Sequence, residues 1–469
     1  MSGLTKENAL AAALAQAQEA TPARRRLELL FDPDSFVEMD TLAGVKGQPC
    51  GVVTGYGTIM GGPAYAFAQD STQTGGAVGR IHGRRIARIY EVALKTGAPV
   101  IGIFDSKGLR LDEGVEALDA YGEMLHLAST LSGVVPQLSL VLGTCGGTSA
   151  LVAANADFVV MSKDAEFFLT PPAIAQSAGM GAPEAGSAAA AAKAGLAHLV
   201  CEDEQAAIEN ARRLVCTLPL NNLAAPAVFE STAAGDSAGL ADPANAAALV
   251  ESLTDAGSAL ELMADFGSGA YTAMAAVGGL SCGFVATKGA ALTSDDCAKM
   301  AKLVSVCDAF QVPVITLVNT PGFAPSSVAE LAGSVRDMAR LGHIYAEATT
   351  AKIAVITGAA YGAAYITLAS HAANADYTAA WPGASISALP PSAAVALLHG
   401  DRITAEKSRQ QVEEEYLANE ASPLNAAAQC FIDSVLAPEA TRDYLISTLE
   451  VLSSKRVHTL PKKHSNLPL

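Results

Sequence analysis

The sequence predicts an α/β protein built from two copies of one domain, and three observations carry that expectation. Short β-branched runs (Val100-Ile-Gly-Ile-Phe104, Val314-Ile-Thr-Leu-Val318, Ile353-Ala-Val-Ile-Thr357) alternate with helical stretches of about 15 residues. Runs so apolar suit strands buried on both faces. One series of segments occurs twice in the same order. In each half, moreover, an apolar strand runs into a glycine turn and an alanine-rich helix.

Taken in order, the first twenty-six residues carry Glu7 and Glu19, and read as an amphipathic or frayed helix rather than a signal peptide. Phe31-Asp-Pro-Asp-Ser-Phe-Val-Glu38 precedes Gly51-Val-Val-Thr-Gly-Tyr-Gly57 and Ala64-Tyr-Ala-Phe-Ala68. The counterparts are Leu253–Glu261, Ala273–Gly278 and Ser281–Ala286. A helix then ends in Lys95-Thr-Gly-Ala-Pro-Val-Ile-Gly-Ile-Phe-Asp105, matched by Ala309-Phe-Gln-Val-Pro-Val-Ile-Thr-Leu-Val-Asn319. Each half closes its strand–turn–helix series on the tripeptide Asn-Ala-Asp, at 155–157 and 374–376. The joint falls near residues 222–245, where periodicity lapses and Pro, Gly and Ser collect.

Composition narrows the function. A net charge of −17 argues against nucleic acid as the main partner, yet leaves room for a local basic pocket for an anionic tail. The 8 cysteines are scattered with no C-x-x-C pair, as expected of reduced, buried thiols in a cytoplasmic protein. No histidine, from His82 to His458 and His464, has metal-ligand spacing, so no metal is expected. Charge-free stretches run from Met124 to Ala156 and from Ile353 to Ala375, long enough to span a bilayer. Both are rich in Gly, Ala, Thr and Ser with a central glycine turn, so strand, turn and buried helix is the better reading, without membrane insertion.

Three turns could carry chemistry: Ser106-Lys-Gly-Leu-Arg110, Gly143-Thr-Cys-Gly-Gly-Thr-Ser149 and Tyr361-Gly-Ala-Ala-Tyr365. In the last two a glycine turn joins strand to helix, leaving backbone N–H groups free and small residues beside them. Such donors stabilise an enolate or tetrahedral oxyanion. The same glycines also permit tight strand–helix packing. Side-chain machinery is absent: no G-x-S-x-G surrounds Ser149, which reads as a helix cap. Asp112 and Glu113 beside Arg110 read as a local salt bridge or helix-start charge, and Gly75-Gly76-Ala-Val-Gly79 as a turn. Lys455-Arg456 and Lys462-Lys463-His464 read as a solvated basic tail.

At these motifs the sequence resembles the carboxyltransferase subunits of biotin-dependent acyl-CoA carboxylases and the related decarboxylases. The resemblance runs from about Arg24 to Leu469. It includes Gln69-Asp70, Gly75-Gly76-x-x-Gly79-x-x-His82, Thr96–Gly102, Glu202-Asp-Glu204, Pro321-Gly-Phe323, Tyr345–Thr349, Ala360-Tyr-Gly-Ala-Ala-Tyr365, Ala380-Trp-Pro382 and Lys463–Leu469. It implies two duplicated crotonase-like (ββα spiral) domains, residues 1–230 on the acyl-CoA side and 231–469 on the biotin side. The active site would lie between the N half of one subunit and the C half of another.

By the same resemblance, Gly146, Gly147 and Thr148 would hold the thioester oxygen, and Gly362, Ala363 and Ala364 the biotin ureido oxygen. Gly108, Leu109, Gly322, Phe323, Tyr365 and Ile366 would bind the two reactants, with Ile366 an apolar wall suited to a short acyl group. Biotin would arrive on a biotin carboxyl carrier protein served by a biotin carboxylase, since no Met-Lys-Met biotinyl site appears here. A homo-hexamer is implied.

The family's Ser-Gly-Gly-Ala-Arg is here Ser106-Lys-Gly-Leu-Arg110, and its Cys-Ala-Gly-Gly-Ala is Cys145-Gly-Gly-Thr-Ser149. Leu109 and Thr148 would narrow the acyl pocket. Two alternatives stay open: decarboxylation in a membrane complex, and a non-catalytic paralogue marked by Lys107 and Thr148.

Overall fold

Contacts in the computed structural model divide the chain into two units, Met1–Ala225 and Pro226–Leu469. The structure describes residues 3–468 apart from Gln18, Lys46, Gly47, Asn374, His458 and Thr459. Asn374 of the second Asn-Ala-Asp, His458 and the terminal Leu469 therefore lie outside the described residues.

In the first unit, helices α1 (Gly3–Ala17) and α2 (Pro22–Leu30) precede a sheet of eight strands. These are β1 (Val37–Met39), β2 (Val52–Ile59), β3 (Gly62–Gln69), β4 (Val100–Ser106), β5 (Gln137–Gly146), β6 (Phe158–Ser162), β7 (Glu166–Phe168) and β8 (Leu199–Cys201). Their order is β1-β2-β3-β4-β5-β6-β8, with β7 continuing beside the end of β5. The first two pairings are antiparallel and the rest parallel. Crossovers are made by α3 (Arg80–Thr96) and α4 (Val115–Leu131), while α5 (Thr148–Ala154) follows β5 and α6 (Glu204–Cys216) follows β8. Helix α1 is the exception to burial: its residues 6–13 are all exposed.

The second unit repeats the sheet. Strands β9 (Leu260–Leu262), β10 (Ala270–Val277), β11 (Leu280–Thr287), β12 (Val314–Thr320), β13 (Lys352–Tyr361), β14 (Tyr377–Ala380), β15 (Ser385–Ser387) and β16 (Ser434–Val435) take the order β9-β10-β11-β12-β13-β14-β16. Here β15 continues beside β13. Again two antiparallel pairings precede parallel ones. Helices α7 (Ser294–Ala309), α8 (Ser327–Leu331), α9 (Ser334–Glu347) and α10 (Gly362–Ala369) accompany it. So the sequence repeat is a structural one, two duplicated crotonase-like domains of α/β class.

Local chemistry explains the element ends. Gly97 at φ +67 closes α3 in the left-handed conformation a C-terminal cap favours. Thr293 and Asp296 form a capping box that starts α7. The aspartates of both Asn-Ala-Asp tripeptides act alike. Asp157 Oδ2 accepts from Gln137 N at 2.8 Å, and Asp376 Oδ2 from Lys352 N at 2.7 Å. Each fixes the first residue of the central strand, β5 or β13.

After β15 the second unit diverges. Helices α11 (Pro391–Leu398), α12 (Arg409–Asn419) and α13 (Pro423–Ala428) intervene before β16, and Ala394, Val395, Val412, Tyr416 and Ala421 form a small core of their own. Helix α14 (Thr441–Leu452) then covers the sheet through Leu445 and Leu449.

Both charge-free stretches fold as strand, turn and helix, and no helix among the described residues is long and apolar enough to cross a membrane. Two sequence readings need correction. Of the cysteines, all free, Cys430 is exposed and Cys216 half-buried, the first in the segment after α13 and the second at the last residue of α6. The basic tail is only in part solvated: Lys455 Nζ binds Asp376 Oδ2 at 2.7 Å, and Lys462 and Ser465 both bind the Glu347 carboxylate on α9, while Arg456, Lys463 and His464 are exposed.

Candidate active site

The two sheets place the same pair of turns at the C-terminal ends of their central strands. In the first unit, β4 ends in Ser106, whose Oγ accepts from Gly108 N at 3.0 Å and so bends the chain back. Gly108 sits at φ +105 and its carbonyl accepts from Val78 N at 2.8 Å. Beside it, β5 ends at Gly146, and Gly147 turns the chain at φ +63 into α5. The turns abut: a Cβ on Gly108 would lie 3.0 Å from Gly146 O, so glycine is required there.

The second unit matches this residue for residue. Thr320 Oγ1 accepts from Gly322 N at 3.2 Å, Gly322 has φ +124, and its carbonyl accepts from Leu292 N at 2.9 Å. Gly362, at φ +56, occupies the place of Gly147. A Cβ on Gly322 would lie 3.8 Å from Tyr361 O, as Gly108 abuts Gly146 O. Even the register irregularities coincide, between Phe104 and Ser106 and between Val318 and Thr320.

Which amides are left to meet a ligand follows from the bonding. Gly146 lies within the β5–β7 ladder, and Gly147 N donates to Phe168 O at 2.9 Å. Of the three residues expected to donate there, Thr148 alone opens the helix; its N–H has no carbonyl a turn earlier to meet, and none is recorded for it among the described residues. Leu109 N is in the same state across the gap, while Gly108 N and Arg110 N are both bonded. In the second unit the matching pair is Phe323 and Ala363, with Ala364 buried behind them. Leu109, Thr148 and Phe323 are half-buried and Ala363 exposed, so all four can be reached.

A cavity of about 510 Å³ opens on the second-unit turn, lined by Gly362, Ala363, Tyr365 and Ile366 together with Gln429 and Phe431. Tyr365 OH donates to Phe431 O at 3.2 Å and ties the two walls together. Gly322 and Phe323 flank the turn rather than line the cavity. The wall from α13 had no signal in the sequence, being some sixty residues from the turn.

Behind the turns lies a support that sequence reasoning also missed. Asp105, at the end of β4, is buried; Oδ1 accepts from Thr144 N at 3.3 Å, and Oδ2 from Ser71 Oγ at 2.7 Å and Arg26 Nη1 at 2.8 Å. Asn319 does the equivalent work in the second unit, accepting from Ala359 N at 3.1 Å. The pairing of Asp105 with Asn319 in the repeat was the available signal. Ser149 is not a cap: Gly147 holds that position, and the Ser149 hydroxyl turns inward. Glu113 pairs with Arg110 at 3.1 Å and also accepts from Arg80 N at 2.6 Å, at the start of α3.

His82 is buried beneath the first turn. Its Nδ1 donates to Cys50 O at 3.1 Å, leaving Nε2 to accept from Gln69 Nε2 at 3.3 Å; Gln69 Oε1 in turn accepts from Asp105 N. Burial, reinforced by Arg85 and Arg110 nearby, pushes its pKa down to about 3 against the bond to Cys50. Unfolding exposes a ring that titrates near 6.5, so the unfolded state binds the extra proton between these values. Stability conferred by neutral His82 is full above pH 6.5 and falls on acidification toward 3. Between pH 7 and 5 the wild type is expected to lose about 2 kcal/mol to this residue, and His82→Gln to flatten that slope in urea unfolding.

Among the described residues, no group of three or more His, Cys, Asp or Glu could hold a metal ion.

The doubled α/β spiral is the fold of the two-domain carboxyltransferases. The chain belongs to the carboxyl transferase domain family, whose pattern it matches over residues 16–467, in the class that holds the biotin-dependent acyl-CoA carboxylases and decarboxylases. It is 34% identical to the methylmalonyl-CoA decarboxylase subunit alpha of Propionigenium modestum, across 95% of this chain and 93% of that protein. It is 35% identical to the propionyl-CoA carboxylase beta chain of Roseobacter denitrificans, over 95% and 93% of the two. Among solved structures it is similar to the transcarboxylase 12S crystal structure with methylmalonyl-coenzyme A and methylmalonic acid bound, described as a hexamer. There the TM-score is 0.92 at 31% identity, covering 100% of both chains.

Proposed function

We propose that this chain is the carboxyltransferase subunit that moves a carboxyl group between carboxybiotin, carried by a partner protein, and the α carbon of a short-chain acyl-CoA. One observation carries the reading: each unit presents two unengaged N–H groups from abutting turns, and each reactant has one carbonyl oxygen that becomes anionic. Leu109 and Thr148 in the first unit receive the thioester oxygen, and Phe323 and Ala363 in the second receive the ureido oxygen. Charge that develops on each oxygen is met by preorganised dipoles, so neither an acidic side chain nor a metal is required at the turns.

The second-unit cavity suits biotin on its own features. The wall at Gly362 carries no side chain, because a Cβ there would lie 3.2 Å from Ala388 O, and the opposite walls, Ile366 and Phe431, are apolar. When bound, carboxybiotin supplies the carboxyl group. What the chain contributes is the orientation of the ring through the Phe323 and Ala363 amides, with Ile366 the apolar wall suited to a short acyl group. In the first unit, Leu109 and Thr148 close the acyl side around a short chain.

Assembly as a homo-hexamer belongs to this reading. It is supported by the apolar residues left exposed just beyond the first turn in both units: Leu111, Val115 and Leu118, and at the matching place Val328, Leu331 and Val335. Biotin carboxyl carrier and biotin carboxylase subunits would be supplied in trans. The relative from Propionigenium modestum favours a second direction, decarboxylation, at the same site. The donor pairs serve both directions, since each stabilises the same anion approached from either side.

The experiment is exchange of labelled carboxyl between short acyl-CoAs and biotin, free or on a carrier. Exchange with at least one of them is the expected result. Absence of exchange with all, from folded protein, would leave only a non-catalytic role.

A further inference from the structure

We propose that a buried chain of hydroxyls, Tyr121–Ser149–Ser106, is a positioning device that holds the two donor-bearing turns of the first unit at a fixed spacing. It rests on the reading above, in which Leu109 and Thr148 receive the thioester oxygen.

Tyr121 reaches from α4 to Ser149, with Oη 2.5 Å from Oγ. Ser149 Oγ donates to Ser106 Oγ at 3.5 Å, the longest link, and Ser106 Oγ accepts from Gly108 N at 3.0 Å. Tyr121 is 2% exposed and both serines are 0% exposed. Burial pushes the phenol up to about 12, so it keeps its proton and can drive the chain in one direction. The two serines stand beside the donors: Ser149 follows Thr148, and Ser106 opens the turn that presents Leu109. The hydroxyls therefore join one turn to the other through fully buried side chains.

The second unit shows that the fold does not demand this. Thr320 Oγ1 accepts from Gly322 N and donates to Ala290 O at 2.8 Å, on the segment that follows β11 rather than on the neighbouring turn. The position matching Ser149 is Ala364, buried and without a hydroxyl. An alanine thus fills the space adequately. Burying three hydroxyls instead is costly unless every one is bonded; here Tyr121 anchors Ser149, Ser106 Oγ also donates to Gly108 O at 3.5 Å, and the Ser149–Ser106 link is the one that runs between the turns. Donors that act on a developing anion must already be in place, and a shift in their spacing weakens the anion more than the neutral ester.

The test uses the full chain with propionyl-CoA and with a CoA-linked nitronate, a stable anion shaped like the thioester enolate. Ser149→Ala is expected to weaken nitronate binding about tenfold and lower kcat for carboxyl exchange alike, leaving the Kd and KM for propionyl-CoA within about twofold. Tyr121→Phe, which retains the ring, is expected to move both in the same direction. The double variant should lose no more than the larger single loss, because the residues act as one unit. If Ser149→Ala fails to fold, Tyr121→Phe carries the test. Unchanged nitronate binding and kcat in a folded variant would overturn the proposal. So would equal weakening of propionyl-CoA and the nitronate, which marks a packing defect. Wild-type protein that does not prefer the nitronate would instead overturn the underlying acyl-CoA reading, and this proposal with it.

Discussion

Thr148→Pro is expected to lower carboxyl transfer by roughly 10²–10³-fold with the fold preserved. The substitution deletes one N–H and little else. Thr148 is the first residue of α5, where proline removes no intrahelical bond and its fixed φ suits the helix. Gly147, the residue before it, is at φ +63 and ψ −137, outside the helical region that a following proline forbids. Thr148→Ala keeps the N–H and so separates the side chain's effect from the amide's. The check is kcat for carboxyl exchange alongside circular dichroism. Activity within about threefold of wild type would mean that this amide meets no transition-state charge. Ala363→Pro poses the same question of the second unit, where a loss should appear in reactions of biotin.

Asp105→Ala is expected to remove about 3 kcal/mol from the stability of the first unit. The carboxylate is buried and partners Arg26, Ser71 and Thr144. Deleting it leaves the guanidinium, 6% exposed, with Glu204 as its remaining carboxylate partner beside Leu142 O, and strips the acceptor from the amide after Gly143. Asp105→Asn keeps an acceptor for Thr144, the arrangement Asn319 already shows, and should lose less, about 1–2 kcal/mol. Urea unfolding measures both. A loss under about 1 kcal/mol for Asp105→Ala would show that the charges are not interdependent. Transfer activity should fall with stability here, since Asp105 immediately precedes the Ser106 turn.

How legible the molecule was in its sequence can be judged element by element. Val100–Phe104 and Val314–Val318 were readable as central strands because parallel strands covered on both faces need no polar alternation. The repeat was readable because an ordered series of segments survives sequence drift, down to the aspartate of each Asn-Ala-Asp. Gly108, Gly147 and Gly362 were visible as turns, Gly322 came only with the family resemblance, and all four have positive φ. The role of Ser149 was not visible: a hydroxyl near a helix start reads as a cap, and its true partner, Tyr121, lies 28 residues away. The tail lysines read as solvated for the same reason, since Glu347 is 115 residues from Lys462.

The sequence alone thus determined the class of fold, its duplication and the turns that bear the donors, because those depend on local periodicity and on where only glycine fits. Tertiary structure decided which amides remain unbonded, since Gly147 loses its N–H to Phe168 on a separate strand and Thr148 does not. It also decided what braces the turns and what walls the cavity beside Gly362. Such facts depend on partners far apart in the chain, and bonding between them is set only when the sheet brings them together.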